Sequence, residues 1–357
     1  MEENKQHKTA LPETEPIPSA QAPEALLDIR GLRVEYHTDE DVVYAVNGLD
    51  LTIGKGESLG LVGETGAGKT TTALSVLRLI ADPPGKIMGG EIWFEGEDML
   101  QAKPARLREI RGSKISVIFQ DPMTSLNPVY SVGDQIAEVI HQHEKCSKEE
   151  GRRKAGDMLE MVGIPRARYD EYPHQFSGGM KQRVVIAMSI ACSPELILAD
   201  EPTTALDVTI QAQVLELMNE LKEKLRTSLL LITHDLGVVA QVCDRVAIMY
   251  AGEIVESGTI AEVFDHPHHP YTIGPFGSIP SLDETAEKLK PIQGQMPDPT
   301  ELPEGCAFAP RCPYATGACR TRKPEMTGVG GTQMVRCLAH QGVFESPELM
   351  EEVRHGR

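Results

Sequence analysis

Apolar and polar residues alternate in the first strongly patterned part of the chain. The runs LLDIRGLRVEY and DVVYAVNGLDLTI, between Leu26 and Ile53, are rich in β-branched residues and are interrupted by turn-forming residues. Such alternation predicts strands with one buried face, here an antiparallel sheet at an edge of the domain. The pattern then changes to the apolar run SLGLV, a glycine-rich loop and the run TTALSVLRLI. This order predicts a strand, a loop and a helix.

Three more strand–helix units are predicted further along, with the apolar strands LILA, SLLLIT and VAIMY. The helix predicted over residues 207–225 has one apolar face, made of Ile210, Val214, Leu217, Met218, Leu221 and Leu225. Alternating strands and helices predict an α/β fold whose mostly parallel sheet is covered on both sides. Residues 121–176 have helical patterns with little strand signal, so we predict a helical subdomain there.

Both ends of the chain differ from this central part. Residues 1–24 are rich in Pro, Glu and Ala without periodicity, which predicts a disordered tail. After Phe264 the chain becomes Pro-rich and irregular, so we predict a main domain over 25–265, a C-terminal region over 266–345 and a tail over 346–357. No apolar run is long enough to cross a bilayer and the N-terminus lacks an apolar signal core, so we expect a soluble intracellular protein.

The overall charge disfavours one class of partner. The 357 residues have a formal net charge of -18, which repels a polyanion such as DNA or RNA. Solubility is a sufficient explanation for this acidity. We therefore expect no nucleic-acid partner.

A phosphate-binding loop follows the strand SLGLV. The segment GETGAGKT matches G-x-x-x-x-G-K-[ST] at every fixed position. Glycines let the backbone N–H groups turn toward phosphate, and the following helix adds its positive end. We expect Lys69 to contact the outer phosphates of ATP and Thr70 to bind Mg²⁺. The predicted loop residues are Gly63, Glu64, Thr65, Gly66, Ala67, Gly68, Lys69, Thr70 and Thr71.

Two consecutive carboxylates end the apolar strand LILA. Asp200 is predicted to hold Mg²⁺ beside the phosphates, and Glu201 to polarise the attacking water. A solvated strand end would have the same sequence, so this interpretation depends on the phosphate loop.

The segment FSGGMKQR, residues 176–183, resembles the signature motif of ATP-binding cassette (ABC) ATPases. The resemblance implies a second phosphate clamp, at a helix start, that faces the nucleotide held by another cassette. It assigns this role to Ser177, Gly178, Gly179 and Gln182. Lys181 and Phe176 depart from the commoner Arg and Leu without removing a phosphate contact.

The same resemblance assigns four further residues. Gln120 matches the glutamine that senses Mg²⁺ and the permease, Asp207 matches the D-loop, and His234 matches the switch histidine at the terminal phosphate. Tyr36 matches the aromatic residue that stacks on adenine, with Tyr44 as the weaker candidate. It implies that Glu201, His234 and Gln120 are catalytic and that Thr70, Gln120 and Asp200 surround Mg²⁺.

Three further segments, QDPMTSLNP, HPYT and LPEGCAFAPRCPYA, resemble the dipeptide, oligopeptide and nickel importer ATPases, more the D-type than the F-type subunit. The resemblance implies two permease subunits, a second ATPase of F-type or a second copy of the chain, and an external substrate-binding protein. It also implies a peripheral location on the cytoplasmic face of the inner membrane. The alternatives are import of nickel or another small solute, and a cassette ATPase that acts on nucleic acid.

Four cysteines lie close together in the C-terminal region: Cys306, Cys312, Cys319 and Cys337. Four thiolates suit a tetrahedral Zn²⁺ or an iron–sulfur cluster, and five basic residues against one acidic residue over 305–340 would offset their charge. The close Cys pairs of structural zinc sites are missing, and the family resemblance also points to a four-cysteine cluster. We therefore predict a [4Fe-4S] cluster, with Zn²⁺ as the alternative; free thiols or disulfides remain open.

Overall fold

The computed structural model describes residues 25–204, 206–276 and 294–354. The predicted tail 1–24 and the last residues of the predicted tail 346–357 lie outside these ranges. The strands are β1 (Ala25–His37), β2 (Val42–Gly54), β3 (Ser58–Val62), β4 (Gly85–Phe94), β5 (Glu97–Asp98), β6 (Ile115–Ile118), β7 (Leu196–Asp200), β8 (Ser228–Thr233), β9 (Arg245–Tyr250), β10 (Glu253–Thr259), β11 (Thr327–Gly330) and β12 (Gln333–Val335).

The helices surround these strands. They are α1 (Lys69–Val76), α2 (Pro104–Ile110), α3 (Pro122–Ser125), α4 (Val132–His143), α5 (Lys148–Met161), α6 (Gly178–Ile190), α7 (Val208–Leu225), α8 (Leu236–Val242), α9 (Ile260–Asp265), α10 (Pro270–Phe276), α11 (Gly317–Thr321) and α12 (Pro347–Arg354). Short 3₁₀ turns occur at Arg166–Arg168, Pro173–Gln175 and Leu338–Gln341.

Two sheets confirm the predicted α/β fold. The smaller sheet is antiparallel, with strand order β2-β1-β4-β5. The larger sheet has the order β11-β12-β10-β9-β3-β8-β7-β6, and its five strands from β9 to β6 are parallel. The carboxyl ends of β3, β7 and β8 therefore meet at one edge, where ligands bind in open α/β sheets.

The larger sheet is buried on both faces, which explains its continuous apolar strands. On β8, Leu230 and Ile232 pack with the small sheet, whereas Leu229 and Leu231 pack with the helices on the other side. The helices α3 to α5 fill the predicted helical subdomain. Helix α7 buries Val214, Leu215, Leu217, Met218 and Leu221, close to the apolar face expected from its sequence.

The C-terminal region extends the main sheet. Strand β12 pairs with β10 in antiparallel register, Glu256 with Val335, and β11 pairs with β12. Phe308 is buried in the same apolar cluster as the helices of the main domain. The C-terminal region therefore packs directly on the main domain, although the composition of the chain changes near residue 265. The predicted domain boundaries stay a prediction.

Within the described residues no helix combines the length and apolar character needed to span a membrane.

Candidate nucleotide site

The phosphate loop connects β3 with α1, and its backbone requires glycine. Gly66 and Gly68 have φ angles of +84° and +101°, which side chains with a Cβ rarely adopt. At Gly63 a Cβ would overlap the main-chain oxygen of Met249, and at Gly68 it would overlap that of Ala45. Ala67 is fully buried, whereas Thr65 and Gly66 are exposed.

Lys69 lies at the centre of this loop. Its Nζ donates to the main-chain oxygens of Gly63, at 2.7 Å, and Glu64, at 3.0 Å. Burial lowers the pKa of Lys69, although the carboxylates of Glu201, Asp200 and Glu64 act in the opposite direction. The ammonium group is thus held by the loop that it is predicted to complete.

Thr70 and Asp200 meet beside the loop, 130 residues apart in the chain. The Thr70 hydroxyl donates to Asp200 Oδ2 at 2.8 Å. Burial raises the pKa of Asp200 above its usual value, although the bond from Thr70 acts in the opposite direction. A hydroxyl oxygen and a carboxylate are ligands that Mg²⁺ accepts, so these residues fit the predicted metal position.

Glu201 brings the three predicted catalytic residues together. Gln120 Nε2 lies 3.0 Å from Glu201 Oε2, and His234 Nδ1 lies 3.2 Å from Oε1. The Thr204 hydroxyl donates to Oε2 at 2.9 Å, a contact that the sequence analysis missed. Burial works against ionisation, but the bonds from Thr204 and His234 keep the pKa of Glu201 below its usual range. A carboxylate in this setting can orient water and accept its proton.

The backbone of Glu201 is strained. Its φ angle is +45°, unusual for a residue with a side chain, and its N–H donates to the Ile232 oxygen of β8 at 2.8 Å. The neighbouring strand β8 thus fixes the backbone of Glu201 at the end of β7.

Tyr36, on β1, contacts the helix that follows the loop. Its hydroxyl lies 3.1 Å from the Thr71 hydroxyl. Tyr44, on β2, is 38% exposed. The contact with Thr71 favours Tyr36 as the aromatic residue of the site.

The signature segment forms the start of α6. Ser177 caps the helix, with its hydroxyl accepting from Met180 N at 3.4 Å, and Ser177 and Gly178 are exposed. Gly179 is buried, and a Cβ there would overlap Ile210 of α7. A helix start with exposed N–H groups can bind an anion.

Gln182 and Asp207, two further predicted site residues, lie within helix α6 and at the start of helix α7. Gln182 is fully buried, and neither atom of its side-chain amide has a hydrogen-bond partner among the described residues. The assignment of Gln182 to the phosphate clamp stays a prediction, and the burial of its side chain does not support it. Asp207 caps α7 by accepting from Ile210 N at 3.0 Å, and Ala205 of the predicted D-loop lies outside the described residues.

The four C-terminal cysteines line one cavity together with His269, Phe308 and Leu338. Burial raises the pKa of Cys306 to about 11 and that of Cys312 to about 12, so both would be neutral thiols without a cation. Over the described ranges no three His, Cys, Asp or Glu side chains are grouped closely enough to hold a metal ion. The donor types thus surround one cavity, but the predicted iron–sulfur or zinc centre has no formed ligand shell to support it.

The loop around Lys69, the Thr70–Asp200 pair and Glu201 at the end of β7 define a P-loop ATPase. Residues 46–204 match the family described as ABC transporter, and residues 255–319 match the oligopeptide/dipeptide transporter C-terminal region. Together with relatives that are 48% to 50% identical over most of the chain, these matches show that the chain belongs to the ABC transporter family of ATPases, in the group that carries this C-terminal region.

Several relatives agree with this assignment. The oligopeptide transport ATP-binding protein OppD of Bacillus subtilis is 50% identical over 91% of this chain and 93% of its own length. AppD and DppD of the same organism, an oligopeptide and a dipeptide transport ATP-binding protein, are each 48% identical over 88% of this chain, covering 97% and 94% of their own lengths. The solved dimeric cassette MJ0796, bound to ADP and phosphate, matches 66% of this chain and 98% of its own with a TM-score of 0.59 and 27% identity.

Proposed function

We propose that this ATPase drives the uptake of dipeptides or oligopeptides through partner permease subunits. The names of the relatives support peptides over nickel and over nucleic acid. The main support for ATP hydrolysis is the position of Glu201, which contacts Gln120, His234 and Thr204 beside the phosphate loop.

In this proposal each residue of the site has one task. The loop N–H groups and Lys69 bind the phosphates, Thr70 and Asp200 hold Mg²⁺ with Gln120 beside them, and Tyr36 stacks on adenine. Bound Mg²⁺ supplies charge neutralisation at the terminal phosphates. Glu201 orients the attacking water and accepts its proton. His234 faces the terminal phosphate and holds the Glu201 carboxylate in place.

The second half of the site would come from another cassette. The exposed helix start at Ser177 and Gly178 suits a phosphate brought by a partner, and Asp207 caps the adjoining helix. The partner is a second ATPase of F-type or another copy of this chain. The helical subdomain would dock a permease at the cytoplasmic face of the inner membrane, and an external binding protein would deliver the peptide.

The cysteine-lined cavity is proposed to hold a [4Fe-4S] cluster, with Zn²⁺ as the alternative. Support comes from the four thiols around one cavity and from the excess of basic residues nearby. Protein purified without oxygen should contain iron and sulfide with visible absorbance, or stoichiometric zinc without colour. Protein with neither metal would end this proposal.

Transport itself tests the main proposal. Cells that lack the gene should lose ATP-dependent uptake of labelled di- and oligopeptides, and the intact gene should restore it. The Lys69→Ala variant should fail to restore it. Nickel uptake is measured in the same strains; its loss with unchanged peptide uptake would contradict the peptide assignment.

A further inference from the structure

An ion pair joins the C-terminal region to the phosphate loop. Arg311 Nη1 lies 3.0 Å and 3.1 Å from the two carboxylate oxygens of Glu64, 247 residues away in the chain. The Arg311 side chain is only 7% exposed, and that of Glu64 is 36% exposed. This pair is more enclosed than an ordinary surface salt bridge, which contributes little.

The backbone of Glu64 makes a second contact with the C-terminal part of the chain. The backbone N–H of Glu64 donates to the Tyr271 hydroxyl at 3.2 Å, and Arg311 also donates to the Tyr250 hydroxyl at 3.3 Å. Tyr250, Tyr271 and Phe308 pack against one another with ring centroids 4.8 to 5.6 Å apart. Glu64 is thus held at its backbone by Tyr271 and at its side chain by Arg311, which also contacts this aromatic cluster through Tyr250.

The charge of Glu64 makes this arrangement significant. Glu64 lies inside a loop that binds polyphosphate, and a free carboxylate there would repel the phosphates. Its main-chain oxygen also accepts from Lys69 at 3.0 Å, so its position bears directly on the lysine of the site. A neighbouring cation that neutralises the carboxylate would favour nucleotide binding.

We propose that Arg311 is a positioning residue for the phosphate loop. Arg311 neutralises Glu64 and thereby makes the C-terminal region a part of the nucleotide site. Arg311 directly precedes Cys312, which lines the cysteine cavity, and its N–H donates to the Phe308 oxygen at 3.0 Å. Correct folding around the cysteines is therefore a condition for tight nucleotide binding. This inference depends on the nucleotide site proposed above.

The test is a double-mutant cycle on the affinity of the purified full chain for MgADP, measured by calorimetry. Arg311→Gln should weaken binding about tenfold when Glu64 is present and less than about twofold in the Glu64→Gln background. Arg311→Lys keeps the charge and should bind MgADP within about threefold of the unsubstituted protein. Arg320→Gln, beside Cys319 instead of Cys312, is the matched control and should bind as the unsubstituted protein does.

Two measurements separate this positioning role from a merely structural one: the affinity for MgADP in both Glu64 backgrounds and the thermal unfolding midpoint. Equal losses of affinity in both Glu64 backgrounds, or no loss at all, would overturn the inference. The thermal unfolding midpoint is recorded for each variant, and Arg311→Ala replaces Arg311→Gln in the cycle if the latter does not fold. Failure of the unsubstituted protein to bind MgADP would instead refute the nucleotide site itself.

Discussion

Glu201 shows how the environment of one residue prepares it for chemistry. Its left-handed backbone angle occurs directly after the last residue of β7, and hydrogen bonds from Thr204 and His234 keep the pKa of its carboxyl below the usual range. An ionised carboxylate with fixed orientation is what a water-activating base requires. Its backbone N–H is fixed by the bond to Ile232 of β8.

Replacement of this carboxylate should separate binding from hydrolysis. We expect Glu201→Gln to bind MgATP normally, because the amide keeps the size of the side chain and the phosphate loop is unaltered. Steady-state ATP hydrolysis should fall about a hundredfold or more, since the base is lost. The protein should then accumulate as a closed dimer with ATP, detectable by size-exclusion chromatography.

The same change at an exposed position provides the control. Glu223→Gln, on the solvent face of α7, should hydrolyse ATP at the normal rate. Fast turnover by Glu201→Gln would refute the assigned role.

At the scale of elements, α6 and α7 pack so closely that two adjacent glycines have different tasks. A Cβ at Gly179 would overlap Ile210 Cγ2, whereas a Cβ at Gly178 would have, among the described residues, only Leu206 Cδ2 within 4 Å, at 3.9 Å. Gly179 therefore serves the packing of the two helices. Gly178 lies on the exposed side, where the nucleotide of a partner would approach.

Alanine at these two positions should give opposite results. Gly179→Ala should lower the free energy of unfolding by about 1–3 kcal/mol, because the β-branched Ile210 cannot move aside easily. Gly178→Ala should leave that free energy unchanged or slightly higher, since alanine favours helix. It should still reduce ATP hydrolysis, because the added methyl keeps the helix start from the phosphate.

Chemical denaturation and ATPase rates of both variants decide the matter. Full hydrolysis by Gly178→Ala would show that no nucleotide approaches this glycine. A Gly179→Ala protein as stable as the parent would contradict the packing described for α6 and α7.

At the scale of the whole molecule, Glu262 fastens the C-terminal hairpin to the main domain. Its carboxylate accepts from the backbone and hydroxyl of Thr332, at 2.8 and 2.6 Å, and it completes the cap of α9 with Thr259. Burial opposes ionisation, but these bonds lower the pKa of Glu262 from 4.5 to about 2. The ionised form is therefore favoured by folding.

This shift predicts a pH-dependent contribution to stability. A carboxyl whose pKa is lowered in the folded state stabilises the fold fully above its unfolded pKa of about 4.5, and this stabilisation is lost as the pH falls toward about 2. We expect the free energy of unfolding of the parent to exceed that of Glu262→Gln most above pH 5 or so, and the difference to shrink on acidification.

Urea titrations at a series of pH values from neutral to acidic measure the difference in free energy of unfolding between the parent and Glu262→Gln. Thr332→Ala should change in the same direction by a smaller amount, because the backbone bond remains. A difference that stays constant, or that grows as the pH falls, would contradict the role of Glu262.

The sequence by itself determined the elements and most of the site. The strand patterns, the phosphate loop from Gly63 to Thr70 and the carboxylate pair after LILA were all readable, because backbone geometry and burial impose local patterns on the chain. The helical subdomain followed from the same local patterns, whereas the helix start at Ser177 came from the resemblance to the signature motif.

Only the tertiary structure decided which of these residues meet. The Thr204 bond to Glu201, the pairing of Arg311 with Glu64 and the addition of β12 to the main sheet join segments whose contacts no local pattern reports. Gln182 is the reverse case, since only packing shows that its side chain is buried. Such contacts depend on how sheets and helices stack, and a periodic pattern specifies which face is buried without specifying what covers it.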